Sequence, residues 1–160
     1  MRILGIDSGF EKTGYALLDF GKDGTCKDIF SGVIYTAKQK SLSERILHFA
    51  SQMQNILRSM EPDKIFCEQV FFLNNKKTAI QVAQFQGVLI FLSEKNSIPL
   101  SFIPPAKVKK TITGNGRSDK KAVEKMLYLE LPLAKRRRED DETDAVAVAY
   151  AGFILSKSKL

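Results

Sequence analysis

The sequence predicts an α/β fold in which helices flank a five-stranded mixed sheet, with three antiparallel strands followed by two parallel ones. Two observations predict it. Short strands separated by glycine-containing turns fill residues 1–40, and from residue 41 onwards helical and strand-like segments alternate. The chain has 160 residues, 44% of them hydrophobic, which is enough to bury one core. We therefore expect a single domain over residues 1–160.

The first three strands are predicted over residues 2–7, 15–20 and 29–35, because these segments are short, largely apolar and bounded by turn residues. The turn signals are Ser8-Gly9, Thr13-Gly14 and Asp23-Gly24. Connections this short join antiparallel neighbours. The start of the chain therefore predicts an antiparallel three-stranded meander.

A helix is predicted to begin at Ser41, the first residue of a Ser41-x-x-Glu44 capping box. Pro62 ends it. Between them, apolar residues recur at helical spacing on one face, comprising Leu42, Ile46, Phe49, Ala50, Met53, Ile56, Leu57 and Met60. The spacing predicts that this face packs on the sheet.

A strand over residues 64–70, a largely apolar helix over residues 78–92 and a strand over residues 98–103 follow. Strands separated by a helix form parallel crossovers. Pro104-Pro105 marks the end of the last strand. Three helices complete the chain, over residues 106–111, 118–129 and 141–155, and Gly114-Asn115-Gly116 is a turn before the second of them.

The charge of the chain is unevenly placed. The net charge is +7 and the isoelectric point is about 9.4. Residues 104–138 hold eleven Lys and Arg residues but only three Asp and Glu residues, a net charge of +8, so the basic charge forms a patch. Such a patch favours a polyanion, and nucleic acid is the first partner to consider.

Cysteine and histidine usage excludes several kinds of site. Cys26 and Cys67 lie far apart without a CxxC spacing, which argues against a disulfide framework or a thiolate metal site. The single histidine, His48, excludes a cage of several histidines and lies in the middle of a predicted helix. No run reaches the roughly 20 apolar residues of a membrane helix, so we expect no membrane partner and a cytoplasmic location.

Two carboxylates stand in apolar strands. Asp7 ends the first strand, and Glu68 lies within the apolar strand of residues 64–70. An ionised side chain is costly in such a place unless it is paired or binds a metal ion. If the two strands are neighbours, both carboxylates lie at one edge of the sheet.

Two further carboxylates begin the last helix. Asp141 and Asp144 are three residues apart and therefore share a helix face, where the helix dipole favours their charge. Four carboxylates without histidine or thiolate suit Mg²⁺ or Mn²⁺. Two such ions about 4 Å apart are suited to phosphodiester cleavage. An acidic pocket beside a basic patch predicts a nuclease.

Three sequence blocks resemble the signatures of the RuvC family of bacterial Holliday junction resolvases, in the same order and over nearly the whole chain. They are Ile3-Leu4-Gly5-Ile6-Asp7-Ser8-Gly9 with Thr13-Gly14-Tyr15, then Glu68-Gln69-Val70-Phe71, then Asp141-Glu142-Thr143-Asp144-Ala145-Val146-Ala147-Val148-Ala149. The resemblance implies a ribonuclease H-like fold, a homodimer and Mg²⁺-dependent paired nicking of a four-way DNA junction. A branch-migration motor complex is a further candidate partner that the residues do not identify.

The resemblance also implies roles for individual residues. Asp7, Glu68, Asp141 and Asp144 match the metal-binding carboxylates of the family, Phe71 matches an aromatic residue that contacts bases, and Lys109 and Lys120 match lysines near the scissile phosphate. The other residues that we expect to contact DNA are Phe72, Lys76, Lys77, Lys107, Lys110 and Arg117.

The chain departs from the family pattern at two places. Ser8 stands where proline usually follows the aspartate, and Asp140-Asp141-Glu142 makes the register of the third carboxylate ambiguous. The apolar repeat after Asp144 fixes that residue, and the three-residue spacing of the family then selects Asp141.

Simpler structural roles compete with these assignments. Asp7 could cap a turn. Half of the acidic run at residues 139–142 could be a solvated surface segment that balances the basic residues before it. Phe71 and Phe72 could pack in the core. The helix over residues 78–92 has apolar residues on more than one face, which predicts either burial in a large core or a partner on its outer side.

Three other functions compete with the junction nuclease. The segment Gly5-Ile6-Asp7-Ser8-Gly9 also resembles the phosphate loop of actin-like and sugar-kinase ATPases, but those need two such domains. An RNA-processing nuclease of the same superfamily is a closer rival, because net charge does not separate DNA from RNA. A binding module without chemistry is a third, against which the four carboxylates argue, since acids repel a phosphate ligand unless cations intervene.

Overall fold

A computed structural model describes residues 1–70, 76–133 and 138–157 of the chain. Five strands and five helices lie in these residues. In chain order they are β1 (Arg2–Asp7), β2 (Lys12–Phe20), β3 (Cys26–Tyr35), α1 (Leu42–Met60), β4 (Lys64–Glu68), α2 (Lys76–Lys95), β5 (Leu100–Ile103), α3 (Pro105–Thr113), α4 (Lys120–Glu130) and α5 (Asp140–Lys157).

The five strands form one mixed sheet in the order β3-β2-β1-β4-β5. β1 pairs with β2, and β2 with β3, in antiparallel register, whereas β4 is parallel to β1 and to β5. The predicted sheet of three antiparallel and two parallel strands is thus confirmed. The parallel pairs arise because α1 lies between β3 and β4 and α2 between β4 and β5, so each returns the chain to the same end of the sheet.

Alternation along the strands divides the core between the two faces of the sheet. Ile3 of β1 contributes to one core, with α3, α4 and α5, whereas Leu4 and Ile6 contribute to the other, with α1 and α2. Successive side chains of a strand point to opposite faces, which produces this division. The odd-numbered residues of β1, including Asp7, therefore face α5.

Helix α5 lies directly on the middle of the sheet. Its small residues, Ala145, Ala149 and Gly152, are fully buried. A Cβ atom added to Gly5 of β1 would overlap the carbonyl oxygen of Ala145 and the amide nitrogen of Ala149. The helix and β1 thus touch backbone to backbone, and only glycine fits at position 5.

Most element bounds differ from the predictions by one to three residues; β3, for example, begins at Cys26 and β5 at Leu100. Three differences involve particular contacts or turn residues. β2 begins at Lys12, so Thr13-Gly14, predicted as a turn, lies within the strand. β4 ends at Glu68, two residues early. α4 begins at Lys120 instead of residue 118, because the Asp119 side chain caps it by accepting the Ala122 amide at 2.8 Å. The capping box of Ser41 and Glu44 is present at the start of α1, as predicted.

Helix α2 is apolar on two sides. Phe85 and Leu89 are almost completely buried against α1 and the sheet, whereas Ile80 and Phe91 are 57% and 63% exposed. This matches the expectation that apolar residues occupy more than one face. Among the described residues, none of the helices combines the length and hydropathy that crossing a bilayer requires.

The contact of α5 with β1 predicts opposite effects for two glycine substitutions. Gly5→Ala should lower the free energy of unfolding by about 1–3 kcal/mol, because the added methyl overlaps helix backbone that cannot move aside. Gly87→Ala in α2 is the matched control. A Cβ at Gly87 meets nothing within 4 Å, so the higher helix propensity of alanine should stabilise the protein by about 0.5–1 kcal/mol. Urea unfolding at protein concentrations that keep the chain monomeric measures both effects, and equal effects would contradict the direct contact of α5 with β1.

Candidate active site

Asp7 and Glu68 lie side by side at the carboxyl ends of β1 and β4. Ile6 pairs with Cys67 in parallel register, so the next residues of the two strands are Asp7 and Glu68. Both project from the face of the sheet that α5 covers, since Gly5 contacts α5 and Phe66 packs in the same core as that helix. The sequence prediction that the two carboxylates meet at one sheet edge agrees with this register.

The start of α5 supplies Asp141 and Asp144 at the same edge. Gly14 of β2 is the partner of Asp7 in the β1–β2 register. A Cβ atom at Gly14 would overlap the backbone carbonyl of Asp141. The missing side chain of Gly14 therefore allows the first turn of α5 to lie against the end of the sheet, beside Asp7.

Burial and neighbouring negative charges hold Asp7 in its protonated form more readily than usual. Burial has the largest effect, and together with Glu68, Asp144 and Asp141 it raises the pKa of Asp7 from 3.8 to about 7, against the opposing effect of Lys120. Burial alone raises the pKa of a carboxyl, and the negative charges of three nearby acids raise it further. The four predicted carboxylates thus form one electrostatic cluster.

Two lysines balance part of this negative charge. The Lys120 ammonium lies 2.7 Å from Oδ2 of Asp144, and this hydrogen bond raises the pKa of Lys120. Burial, followed by the charge of Asp144, raises the pKa of Glu68, whereas Lys109 and Lys120 lower it. The two lysines singled out in the sequence are the cations that act on the carboxylates from α3 and α4.

The end of β4 is held by α2. Gln86 Nε2 donates to the backbone carbonyl of Glu68 at 2.9 Å and approaches the Cys67 sulfur at 3.7 Å. The Ser8 hydroxyl lies 3.0 Å from the same sulfur. These contacts fix the backbone on either side of the two carboxylates, and the sequence offered no signal for Gln86 beyond its polarity in an apolar helix.

A second set of contacts fixes the start of α5. The Glu139 amide donates to Oε2 of Glu142 at 3.2 Å, as in a capping box, and the Ser31 hydroxyl donates to Oε1 of Glu142 at 3.1 Å. Lys12 pairs with Glu139 at 2.7 Å, and the Tyr35 hydroxyl donates to the other oxygen of Glu139. Glu142 is 6% exposed, so it is not a solvated surface charge. The sequence contains only the glutamate of the capping-box pattern here, because Glu139 takes the place of the usual Ser or Thr.

The predicted DNA-binding residues that the structure describes lie on α2, on α3 and on the turn after α3. Lys110 and Arg117 are exposed on α3 and on the turn that follows it. Lys107 is also exposed, but it borders a separate cavity along β5. Lys76 and Lys77 lie in the first turn of α2. Phe71 and Phe72 fall outside the described residues.

The donor set of the cluster is carboxylate oxygen alone, which is what hard divalent cations prefer. Within residues 1–70, 76–133 and 138–157, no three His, Cys, Asp or Glu side chains already form a cage arranged to hold a metal ion. Instead, Asp144 is paired with Lys120. The pKa of Asp7 is raised by burial and by the negative charges of the acids around it. The chemistry of the donors therefore fits such a cation. In this structure Lys120, rather than a metal ion, balances the charge of Asp144.

The fold is shared with solved structures of a RuvC protein and of a Holliday junction resolvase. The structure of Thermus thermophilus RuvC in complex with Holliday junction substrate superposes with a TM-score of 0.91, covering 99% of this chain and 96% of that chain at 22% identity. The yeast mitochondrial Holliday junction resolvase Ydc2 superposes with a TM-score of 0.72, covering 98% of this chain and 79% of that chain at 17% identity. The fold is ribonuclease H-like, as the resemblance implied.

Sequence comparison identifies the family within this class. The family model described as crossover junction endodeoxyribonuclease RuvC matches residues 3–151. Proteins of that name from Thermosipho melanesiensis and Petrotoga mobilis are 40% and 38% identical over 151 residues, which cover 94% of this chain and 95% and 91% of theirs. The chain belongs to the RuvC family of crossover junction endodeoxyribonucleases.

The raised pKa of Asp7 predicts that replacing its carboxyl by a neutral amide stabilises the folded protein more at high pH than at low pH. Asp7 binds its proton more tightly in the folded chain, so the stability that the protonated form contributes is present below pH 3.8 and is lost as the pH rises through about 7. In EDTA, Asp7→Asn should therefore stabilise the protein, and by on the order of 2 kcal/mol more at pH 8 than at pH 5.

Urea unfolding at the two pH values measures this difference. Asp23→Asn is the control, because hydrogen bonds from Thr25 lower the pKa of Asp23 and its loss should stabilise the protein at neither pH. A gain for Asp7→Asn that is the same at pH 5 and pH 8 would contradict the electrostatic cluster.

Proposed function

We propose that this chain resolves four-way DNA junctions by paired, symmetric nicks, through metal-assisted hydrolysis of phosphodiester bonds. The observation that carries the proposal is geometric: Asp7 and Glu68, at the paired ends of β1 and β4, lie beside the start of α5, which carries Asp141 and Asp144. Lys120 contacts Asp144 at 2.7 Å. A family of endodeoxyribonucleases named for crossover junctions supports the substrate. The complex of the Thermus thermophilus protein with Holliday junction substrate supports it as well.

The roles of the site residues follow from their charges and positions. Asp7, Glu68, Asp141 and Asp144 would hold Mg²⁺, two ions for each site, with Mn²⁺ as a substitute. Such ions would balance the charge of the carboxylates and would supply an activated water and stabilise the leaving oxygen. Without a cation, ionisation of Asp7 is costly because the carboxyl is buried among other acids. A bound cation would therefore favour its ionised form.

Lys109 and Lys120 would contact the phosphate that is cut. Both act electrostatically on the carboxylates, and Lys109 is half-buried on α3 while Lys120 reaches from the first turn of α4. The Lys120 ammonium is paired with Asp144 in this structure, and it would be free to face the substrate if Asp144 held a cation instead. Lys107, Lys110, Arg117, Lys76 and Lys77 would bind phosphates farther along the DNA, and Phe71 and Phe72 would contact bases.

A homodimer would present two such sites to two strands of a junction. On α2, Ile80 and Phe91 lie three turns apart on one face with Gly87, and both apolar side chains are more than half exposed. An identical helix packed there would bury them, and two-fold symmetry matches symmetric cutting. A single nuclease domain and a cytoplasmic location complete the proposal.

Different observations argue against each of the three competing functions. The relatives are named as enzymes that act on DNA crossovers, which does not favour an RNA-processing nuclease. The chain spans 91–95% of those relatives, whereas an actin-like ATPase needs two domains of this kind. A binding module without chemistry would not need carboxylates that oppose its own ligand.

The function is tested by comparing substrates with and without Mg²⁺. Wild-type protein should nick a synthetic four-way DNA junction at symmetric positions in Mg²⁺ but not in EDTA, and should leave duplex DNA and an RNA/DNA hybrid largely uncut. Asp7→Asn should reduce junction cleavage by at least about 1,000-fold with little change in junction affinity, because the carboxylate acts in hydrolysis. Cleavage is followed on gels and affinity by mobility shift.

The outcomes separate the candidate functions. Preferred cutting of the hybrid would favour the RNA-processing enzyme. An Asp7→Asn variant that binds more tightly while the wild type cuts none of the substrates would favour the binding module. Cleavage retained by Asp7→Asn would remove this residue from the mechanism.

The role of Lys109 is tested through salt dependence. A lysine that neutralises a phosphate releases a counterion, so Lys109→Ala should weaken junction binding and lower the slope of log K against log salt by about 1. Lys38→Ala is the control, since Lys38 is paired with Glu11 at 2.8 Å near the end of β3 and outside the basic segment. An unchanged slope for Lys109→Ala would show that Lys109 does not contact phosphate.

A further inference from the structure

A small cleft opens between α4 and α5, next to the carboxylate cluster. Its volume is about 190 Å³. The residues that line it are Lys120, Val123, Glu124, Tyr128, Arg138, Asp140, Thr143 and Asp144. Lys120 and Asp144 belong both to this cleft and to the candidate active site, so whatever occupies the cleft lies beside the reacting phosphate.

One wall of the cleft is a stripe along α4. Lys120, Glu124 and Tyr128 stand four residues apart and therefore share a helix face. Leu127, on the inner face of the same helix, is fully buried, whereas Tyr128 is 43% exposed. The stripe begins at Lys120, whose ammonium contacts Asp144. It ends about 12 Å farther along the helix axis, at the exposed ring of Tyr128.

The size and charge of the cleft select its ligand. A volume of about 190 Å³ is too small for a stacked base pair but admits one planar ring system. Lys120 and Arg138 oppose Glu124, Asp140 and Asp144, so the lining is nearly balanced in charge. A phosphate would meet three carboxylates there, while a neutral base avoids that repulsion.

We propose that this cleft receives one unpaired base of the DNA, from a nucleotide next to the scissile phosphate, and stacks it on Tyr128. The inference rests on the proposed function, since it needs DNA at the carboxylate cluster. Stacking of a base on an aromatic side chain is tolerant of sequence and stabilises single-stranded contacts. An open junction has unpaired or weakly paired bases at its crossover, and the cleft holds one of them out of the stack while the neighbouring phosphate lies at the carboxylates.

The experiment uses junctions that carry 2-aminopurine at each position within three nucleotides of the cut site, bound in EDTA so that no strand is cut. Stacking quenches this base. We expect quenching at one position with wild-type protein and with Tyr128→Phe, and at least twofold higher fluorescence at that position with Tyr128→Ala and Tyr128→Leu. Junction affinity should fall roughly fivefold or more in the last two variants.

Leu129→Ala is the matched control. Leu129 follows Tyr128 on α4, is 69% exposed and does not line the cleft, so its loss should change neither fluorescence nor affinity. Thermal unfolding of each variant checks that the fold is kept, and Tyr128→Leu retains apolar bulk without a ring.

The two proposals fail in different ways. If the wild type cuts junctions and Asp7→Asn does not, but Tyr128→Ala matches Leu129→Ala in fluorescence and affinity, the base subsite is refuted and the junction nuclease stands. If Tyr128→Phe behaves like Tyr128→Ala, the hydroxyl and not the ring is responsible, which also refutes stacking. If the wild type cuts no junction, the proposed function fails and the subsite fails with it.

Discussion

The direct backbone contact between α5 and the middle of the sheet is the constraint on which the rest of the structure depends. Gly5 removes the side chain that would separate β1 from the helix, and Gly14 does the same for β2 against the first turn of α5. The helix consequently begins at the edge where β1 and β4 end. Asp7 and Glu68 are brought together by parallel pairing, and Asp141 and Asp144 are added only because the helix comes this close. A fold that kept an ordinary helix-to-sheet spacing would leave the two pairs of carboxylates apart.

This closeness has an electrostatic cost that the protein compensates in part. Four acids in a poorly solvated place oppose one another's ionisation, which is visible in the pKa of Asp7 and Glu68. Lys120 balances Asp144, and the contacts of Glu139 and Glu142 with Lys12, Tyr35 and Ser31 hold the start of α5 against the repulsion. The proposed cation would remove this mutual repulsion, so the electrostatic cost of the carboxylate cluster would favour cation binding.

The fold and the candidate carboxylates could be predicted from the sequence because the patterns that determine them are local. Strand length, the capping box at Ser41 and the helix between each pair of later strands determine the sheet topology, and parallel pairing then brings Asp7 beside Glu68. What the sequence did not disclose involves contacts between distant parts of the chain. Gly14 read as a turn residue because its purpose, room for the backbone of Asp141, lies 127 residues away. Glu142 read as one more charge of an acidic run because its partner, Ser31, is on another element.

The close packing of small residues along the inner side of α5 also limits which substitutions the chain can accept there. Ala145, Ala149 and Gly152 recur at four- and three-residue intervals, and a Cβ atom at Gly152 would enter the ring of Phe66. None of the three takes part in chemistry, yet a larger side chain at any of them would tilt the helix and move its two acids off the sheet edge. In this structure, only small side chains fit at these three positions. The spacing of small residues after the two acids therefore helps to determine where the acids lie, although these residues carry no charge themselves.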